Sequence, residues 1–374
     1  MSTQSQIAII GGGLAGLTAA IHLAQKGCDV TLFEKNNYPK HKVCGEFISN
    51  EVLPYLQQLG IDLSVLQPTQ IHTTILSLPS GKSIMAKLPL GGFGISRFTL
   101  DHHLYQLAVQ YGVSVVHQTV TNTTFSDSQF VLVTENGDTH VAKVVLGAFG
   151  KRSNLDHTLE RTFIKKKAPW LAVKAHYSGH FPNDVVALHN FEGGYCGVSK
   201  VENNAINICY LVQYDTFKQF KNIPEFETHI LQQNPHLKGI LENTTRLFVK
   251  PLTISQISFE NKTQVENHIL MMGDTAGLIH PLCGNGMAMA IHSAKIASEC
   301  TLAYLNNDIT RDTFEAKYRN QWNYHFKSRI QTGKLLSKLL LSTFFSQVVM
   351  RIVITFPKLV PYIISKTHGK PITE

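Results

Sequence analysis

Tryptophan is nearly absent from this chain: Trp170 and Trp322 are the only two in 374 residues. The six cysteines, Cys28, Cys44, Cys196, Cys209, Cys283 and Cys300, include no CxxC pair, and no histidine cluster supplies metal-ligand spacing. That argues against a zinc ribbon or a disulfide framework, predicts no metal, and fits reduced thiols in a cytoplasmic protein. No uncharged apolar run reaches the roughly 18–20 residues that span a bilayer. The longest candidate, residues 339–350, is bounded by Lys338 and Arg351. The N-terminus runs straight into a strand pattern, without a basic stretch followed by an apolar one, so no signal peptide is expected. Charged residues are only 16 % and apolar ones 43 %, which excludes a disordered chain and is ample for a packed core.

Acidic residues are missing altogether from residues 316–373, which hold ten Lys or Arg. The rest of the chain is close to neutral, so the net charge of +8 sits in the last sixth. Leu, Ile, Val and Phe are interleaved with these cations. That mixture points away from nucleic acid and toward an anionic membrane surface. Leu335, Leu336, Leu339, Leu340 and Phe344 share one helical face, and Pro357 and Pro361 are expected to break the helical pattern beyond it. Residues 331–374 therefore read as a basic amphipathic tail. It either lies peripherally on a membrane or docks on the body of the protein.

The length suits two domains. Residues 7–10 form a short β-branched run, a buried strand, and residues 14–26 a helix that Gly27 stops. Residues 30–33 make a second strand ending at Glu34, which completes a βαβ opening. Residues 71–78 and 83–88, joined by Pro79-Ser80-Gly81, read as a hairpin. Residues 100–111 read as a helix, and antiparallel strands are expected within 170–212. One helix is expected over 217–234, a buried strand over 268–272, and helices over 285–305 and 311–331. The glycine-turn elements lie at both ends and the antiparallel ones between them. Residues 1–70, 97–160 and 265–330 are therefore assigned to a nucleotide-binding domain, and 71–96 and 161–264 to a substrate sheet. The fold class is α/β, a Rossmann-like domain of glutathione reductase type with an inserted antiparallel sheet and a helical tail.

Two motifs carry the chemistry. In Gly11-x-Gly13-Leu14-Ala15-Gly16, Gly11 permits the tight turn, Gly13 lets a pyrophosphate approach the backbone, and Gly16 lets the helix pack on the strand. The helix N-terminus offers unpaired N–H groups to phosphates. Glu34, next to Lys35, can accept from both ribose hydroxyls. The second motif is Gly273-Asp274-Thr275-Ala276-Gly277, with Pro281-Leu282-Cys283-Gly284-Asn285-Gly286-Met287 after it. Asp274 can hold a ribityl hydroxyl or merely cap a turn. The helix beginning near Asn285 can aim its N-terminus at the flavin N1–C2=O edge. Together the two motifs favour FAD over NAD, because one chain touches both ends of a long cofactor.

Over about residues 5–330 the sequence resembles the FAD oxidoreductases of the p-hydroxybenzoate hydroxylase fold, especially the geranylgeranyl reductase branch. Pro39-Lys40-His41-Lys42-Val43-Cys44-Gly45 is similar to that branch's PxxKxCGG. The resemblance implies that Cys44 and Gly45 lie near the isoalloxazine and Lys42 near the phosphates or ring. Arg97, in Ser96-Arg97-Phe98-Thr99-Leu100-Asp101, matches an RxxLD whose arginine reaches FAD. By residue type alone, Cys44 is equally a small buried hydrophobe. Two departures stand out. Phe149 replaces the Asp of the family's middle motif, leaving Gly150 and Arg152 for the phosphates. Tyr195-Cys196-Gly197-Val198-Ser199-Lys200 keeps only the Tyr and Lys of YxWxFPK, and reads equally well as an ordinary strand. The WxWxIP of flavin-dependent halogenases is absent.

The resemblance implies an FAD enzyme that delivers hydride from flavin N5 to carbon–carbon double bonds of an apolar isoprenoid, polyketide or lipid. Cys44, Tyr195 and His280 are the candidate catalytic residues, although a lone histidine such as His280 is more often structural. No second GxGxxG occurs after a strand, so NAD(P)H would act as a transient reductant, or an electron-donor protein would replace it. The alternatives are a flavin monooxygenase working through a C4a-hydroperoxide, and a non-catalytic flavin-binding membrane or partner module. Glu34→Arg is expected to weaken FAD retention by removing the ribose acceptor and adding a cation. Unchanged flavin occupancy in the purified variant, read from its visible absorbance, would refute the assignment.

Overall fold

The computed structural model describes residues 2–373. Its first strand, Ser2–Ile10, is buried on both faces along Ile7–Ile10, as an unbroken apolar run requires. It pairs in parallel with Val30–Phe33 on one side and Thr139–Gly147 on the other. Ser114–Val116 and Ile269–Met271 extend the parallel set at its two ends. Val120–Ser126 and Gln129–Thr134 add antiparallel strands beside Thr139–Gly147, and Val265–Glu266 flanks Ile269–Met271, which makes eight strands among the described residues. Helix Leu14–Gln25 packs against both Arg97–Gln110 and Gly286–Leu305. The strand ends Ile10, Phe33 and Gly147 therefore open toward the same side as the N-termini of two of these helices.

The second sheet has nine strands among the described residues. Its centre is the antiparallel run Trp170–Gly179, Ile206–Gln213, Gly194–Lys200 and Val185–Phe191. Val185–Phe191 then pairs in parallel with Thr69–Ser77, which forms a hairpin with Ser83–Gly94.

Several expectations are corrected. Residues 47–49 were assigned to the nucleotide-binding domain, yet Phe47–Ser49 is an edge strand of the second sheet, paired with Ser83–Gly94. Gly92 makes this possible: a Cβ there would meet the Phe47 ring at 2.5 Å. The single helix expected over 217–234 is broken into Tyr214–Phe217, Ile223–His229, Leu231–Gln233 and Pro235–Glu242. Pro224 and Pro235 start new helices, each capped by an asparagine side chain, Asn222 or Asn234. The helix expected to end at 331 runs to 341 as Arg311–Leu341. Its Gly333 passes so close to Cys283 that a Cβ would meet the sulfur at 2.9 Å. Pro361 does not break the tail. It sits in the first turn of helix Leu359–Thr367, where its missing N–H has no helical partner to lose.

The tail helices Thr343–Thr355 and Leu359–Thr367 fold back on the second sheet. Met350, Val353 and Val360 bury against Leu78 of the hairpin. The chain end is tied to Glu51, a fully buried carboxylate. Glu51 pairs with Arg329 at 3.1 Å, accepts from Asn285 Nδ2 at 2.9 Å, and accepts from the Gly369 backbone N–H at 2.6 Å.

The two sheets are joined at another buried carboxylate. Glu46 lies in the loop before Phe47–Ser49, with a left-handed φ of +54°. Its Oε1 accepts from Lys174 Nζ at 2.6 Å and from the Arg97 backbone N–H at 2.8 Å, and its Oε2 bonds His176 Nε2 at 2.7 Å. Lys174 and His176 belong to strand Trp170–Gly179 of the second sheet, and Arg97 opens the helix on the first. Burial pushes the Glu46 carboxyl up, but the His176 hydrogen bond and the Lys174 charge outweigh it and hold it below its ordinary 4.5. A depressed carboxyl stabilises the fold above its unfolded value and loses that contribution as pH falls through the folded one. Acid unfolding below about pH 4.5 is therefore expected to include protonation of Glu46. Glu46→Gln leaves the Lys174 ammonium buried without its counter-ion, which costs roughly 3–5 kcal/mol. A urea titration at pH 7 should show that loss, and the variant should show less added destabilisation in acid. A wild-type midpoint for the variant at pH 7 would refute the clamp.

Candidate active site

Gly11 takes φ of +105°, and a Cβ there would meet the Ala148 carbonyl oxygen at 2.3 Å. Gly16 packs on the Gly11 carbonyl oxygen, where a Cβ would meet it at 1.9 Å. These close approaches set the turn between the first strand and helix Leu14–Gln25. Gly13, at the helix N-cap, has no side chain to satisfy the first N–H groups, which leaves them available to an anion. Two cations stand beside it. A Cβ at Gly13 would lie 3.5 Å from Arg97 Nη2 and 3.9 Å from Lys42 Nζ. Asp101 orients both, accepting a two-pronged bond from Arg97 at 2.7 and 2.8 Å and pairing with Lys42 at 3.1 Å. Asp101 thus holds a lysine and an arginine where a pyrophosphate would sit. At the end of the second strand, Glu34 Oε2 accepts from the Gly12 N–H at 2.9 Å, and Oε1 accepts from the Asn36 side chain at 2.7 Å.

The second glycine motif faces the first. Gly273 has φ of +56° and donates its N–H to Ser293 Oγ at 2.9 Å. Gly150 is fixed by its N–H to Thr275 Oγ1 at 2.8 Å. The Asp274 carbonyl accepts from Lys262 Nζ at 2.7 Å. Burial lowers the Lys262 ammonium to about 8 despite the nearby Asp274 and Asp156 charges. Arg152, beside Gly150, has a buried Nη1 without a hydrogen-bond partner, as expected of a cation waiting for an anionic ligand.

These elements enclose one cavity of about 810 Å³. It begins at Gly11 and Glu34, passes Cys44 and Tyr195, and continues between the second sheet and the tail to Met350 and Ile364. Every predicted cofactor-contact residue lines it except Gly16 and Asn285. Gly16 serves packing, as its contact with Gly11 requires. Asn285 is a correction: its side chain turns away to Glu51, and it caps helix Gly286–Leu305 without a side-chain bond. Gly284, Gly286 and Met287 still bring that helix start to the cavity.

The three catalytic candidates separate. Cys44 reaches the cavity with Sγ 3.3 Å from Met287 Sδ, and Asn207 Nδ2 holds the Cys44 and Gly45 carbonyls at 3.2 and 2.9 Å. Tyr195 also lines the cavity, and burial pushes its phenol well above the ordinary range. It is therefore a neutral O–H at any working pH. His280 is corrected: it does not line the cavity. It is buried among the rings of Trp170, Tyr195 and Phe259, its Nδ1 accepts from the Leu282 N–H at 3.4 Å, and burial lowers it to about 4.

Sequence reasoning missed Glu46, Lys174, His176 and Asn207. A signal existed in Leu171-Ala172-Val173-Lys174-Ala175-His176-Tyr177, where two titratable groups occupy alternate positions of an otherwise apolar strand. The partner, Glu46, is too distant in sequence for local pattern to reveal it. No metal was expected, and His41, Glu46 and His176 do bring ligand atoms within 4.8 Å of one another. The Glu46 oxygens are engaged by the Lys174 ammonium and His176, while His41 Nδ1 is buried without a hydrogen-bond partner.

The open helix start, the paired cations beside Gly13, the Arg152 Nη1 without a hydrogen-bond partner and the length of the cavity all fit FAD. Comparison with known proteins agrees. The family described as FAD binding domain matches residues 4–308. Conditioned medium factor receptor 1 of Dictyostelium discoideum is 22% identical over 366 residues, covering 89% of this chain and 70% of its own. Digeranylgeranylglycerophospholipid reductase 1 of Methanopyrus kandleri is 25% identical over 357 residues, covering 89% and 90%. Among solved structures, the flavin-dependent brominase Bmp2 superposes with a TM-score of 0.81 at 18% identity, covering 98% of this chain and 93% of its own. A geranylgeranyl bacteriochlorophyll reductase-like protein of Thermoplasma acidophilum superposes with a TM-score of 0.75 at 19% identity, covering 100% and 94%. Those likenesses establish a mixed α/β flavoprotein fold with a helical C-terminal region. The chain belongs to the FAD binding domain family, within the FAD-dependent oxidoreductases.

Proposed function

We propose that the protein reduces carbon–carbon double bonds of an apolar isoprenoid or related lipid. The observation that carries this reading is the continuity of the cavity. Beyond Cys44 and Tyr195 its walls are Leu76, Leu188, Val198, Leu211 and Ile254 from the second sheet, and Leu336, Leu340 and Val353 from the last helices. A long apolar chain fits such a passage because burial of each methylene contributes about 0.8 kcal/mol. The similarity to a digeranylgeranylglycerophospholipid reductase supports the substrate class. On this reading the parallel sheet is a Rossmann-like domain of glutathione reductase type, and the second sheet is its insertion.

Bound FAD, once reduced by NAD(P)H or by an electron-donor protein, supplies the hydride. The residues of the chain do the rest. Arg97, Lys42 and Arg152 hold phosphate charge, and Glu34 receives ribose hydroxyls. Asn207 and Glu46 fix the Cys44–Gly45 loop. The Tyr195 phenol, neutral and inside the cavity, donates the proton that completes saturation, with Cys44 as the other donor within the cavity.

A flavin monooxygenase is the second reading, favoured by the fold shared with a brominase. The two differ in their need for oxygen. With the protein reduced by dithionite under argon, a geranylgeranyl lipid should gain two hydrogens per double bond by mass spectrometry. A product formed only in air and carrying added oxygen would overturn the reductase reading. Tyr195→Phe should slow saturation by about 100-fold while leaving lipid binding intact. An unchanged rate would remove Tyr195 as the donor.

A further inference from the structure

We infer that the outer face of the tail is a docking surface for an anionic lipid bilayer. The inner faces of helices Thr343–Thr355 and Leu359–Thr367 are committed to the protein, through Met350, Val353 and Val360. The outer faces are not. Phe344, Val348 and Ile352 recur every four residues on one side of helix Thr343–Thr355, with Phe356 following at its C-cap, and the four are 71%, 38%, 46% and 60% exposed. Phe345 and Tyr362 widen the strip, both more than half exposed. A packed soluble surface rarely leaves this much large apolar area together without a partner.

The charge around the strip selects the partner. Lys338, Arg351, Lys358 and Lys366 are all exposed, and no acidic residue occurs between residues 316 and 373. Cations ringing exposed aromatics match a membrane surface rich in anionic headgroups, into which the rings insert while the lysines and arginine stay at phosphate level. No helix among the described residues is long and apolar enough to cross a membrane alone. Arg311–Leu341 and Phe344–Thr355 pass a length and composition test together, but they are bent by 106°. A sharp bend with a buried inner face suits a helix pair lying in the interface rather than spanning it.

The same two helices that present this strip also wall the far end of the cavity, through Met350, Val353, Val360, Ile363 and Ile364. A docked molecule would thus hold its cavity one helix layer from the lipid, the direction from which an isoprenoid lipid would enter. That use of the surface rests on the reductase reading, whereas the docking itself does not.

The test uses the full-length, flavin-loaded protein. Sedimentation with phosphatidylglycerol-containing vesicles should pull it down, neutral phosphatidylcholine vesicles should pull down much less, and added salt should weaken the binding. The triple variant Phe344→Ser, Phe345→Ser, Phe356→Ser changes only exposed side chains, so its flavin absorbance and thermal midpoint should stay as in wild type. Its affinity for the anionic vesicles should fall by about tenfold or more. No sedimentation of wild type, equal binding to neutral vesicles, or undiminished binding of the triple variant would each overturn the proposal. So would a dimer in solution that the triple variant dissolves, because the strip would then be an interface between two copies. Vesicle binding without any double-bond reduction would leave the docking surface standing and remove the reductase reading.

Discussion

A carboxylate shut away from water must be matched by cations and hydrogen bonds or give up its charge. Glu46 is matched by Lys174 and His176 from one sheet and by the Arg97 backbone from an element packed on the other. The loop that bears it also bears Cys44 and Gly45, whose carbonyls Asn207 holds from the second sheet. The position of that loop between the two halves of the cavity therefore depends on one electrostatic knot. Arg97 transmits it further, since the residue whose N–H meets Glu46 also places its guanidinium beside Gly13 through Asp101.

Glu51 plays the corresponding part at the other end. It gathers Arg329, Asn285 and the Gly369 N–H, and so ties the long helix, the start of helix Gly286–Leu305 and the chain end to one point. The tail is consequently a wall of the cavity. Its inner face, through Met350, Val353 and Val360, is buried against Leu78, while Phe344, Ile352 and Phe356 stay exposed beside Arg351 and Lys358.

The parallel-sheet half was legible because its signals are local. A glycine turn between a buried strand and a helix has few alternative geometries, and the places of Gly11, Gly13, Glu34, Gly273 and Gly284 are set by steric rules acting over a few residues. At Asn285 the sequence marks a helix start beside a glycine motif, but not that the side chain is bonded to Glu51. For His280 a similar ambiguity leaves a catalytic and a structural reading both open in the sequence. A histidine beside a cofactor motif looks functional, but packing among Trp170, Tyr195 and Phe259 keeps it neutral and away from the cavity.

By itself the sequence determined the parallel strands, the dinucleotide turn, the basic imbalance of the tail and the choice of FAD, all of which depend on composition or on neighbours along the chain. Only the tertiary structure decided that Phe47–Ser49 belongs to the second sheet, that Glu46 finds Lys174 across 128 positions, and that the tail closes the cavity. Those outcomes rest on contacts between distant segments, where register and burial are settled by which surfaces meet, and no local pattern records which surfaces those are.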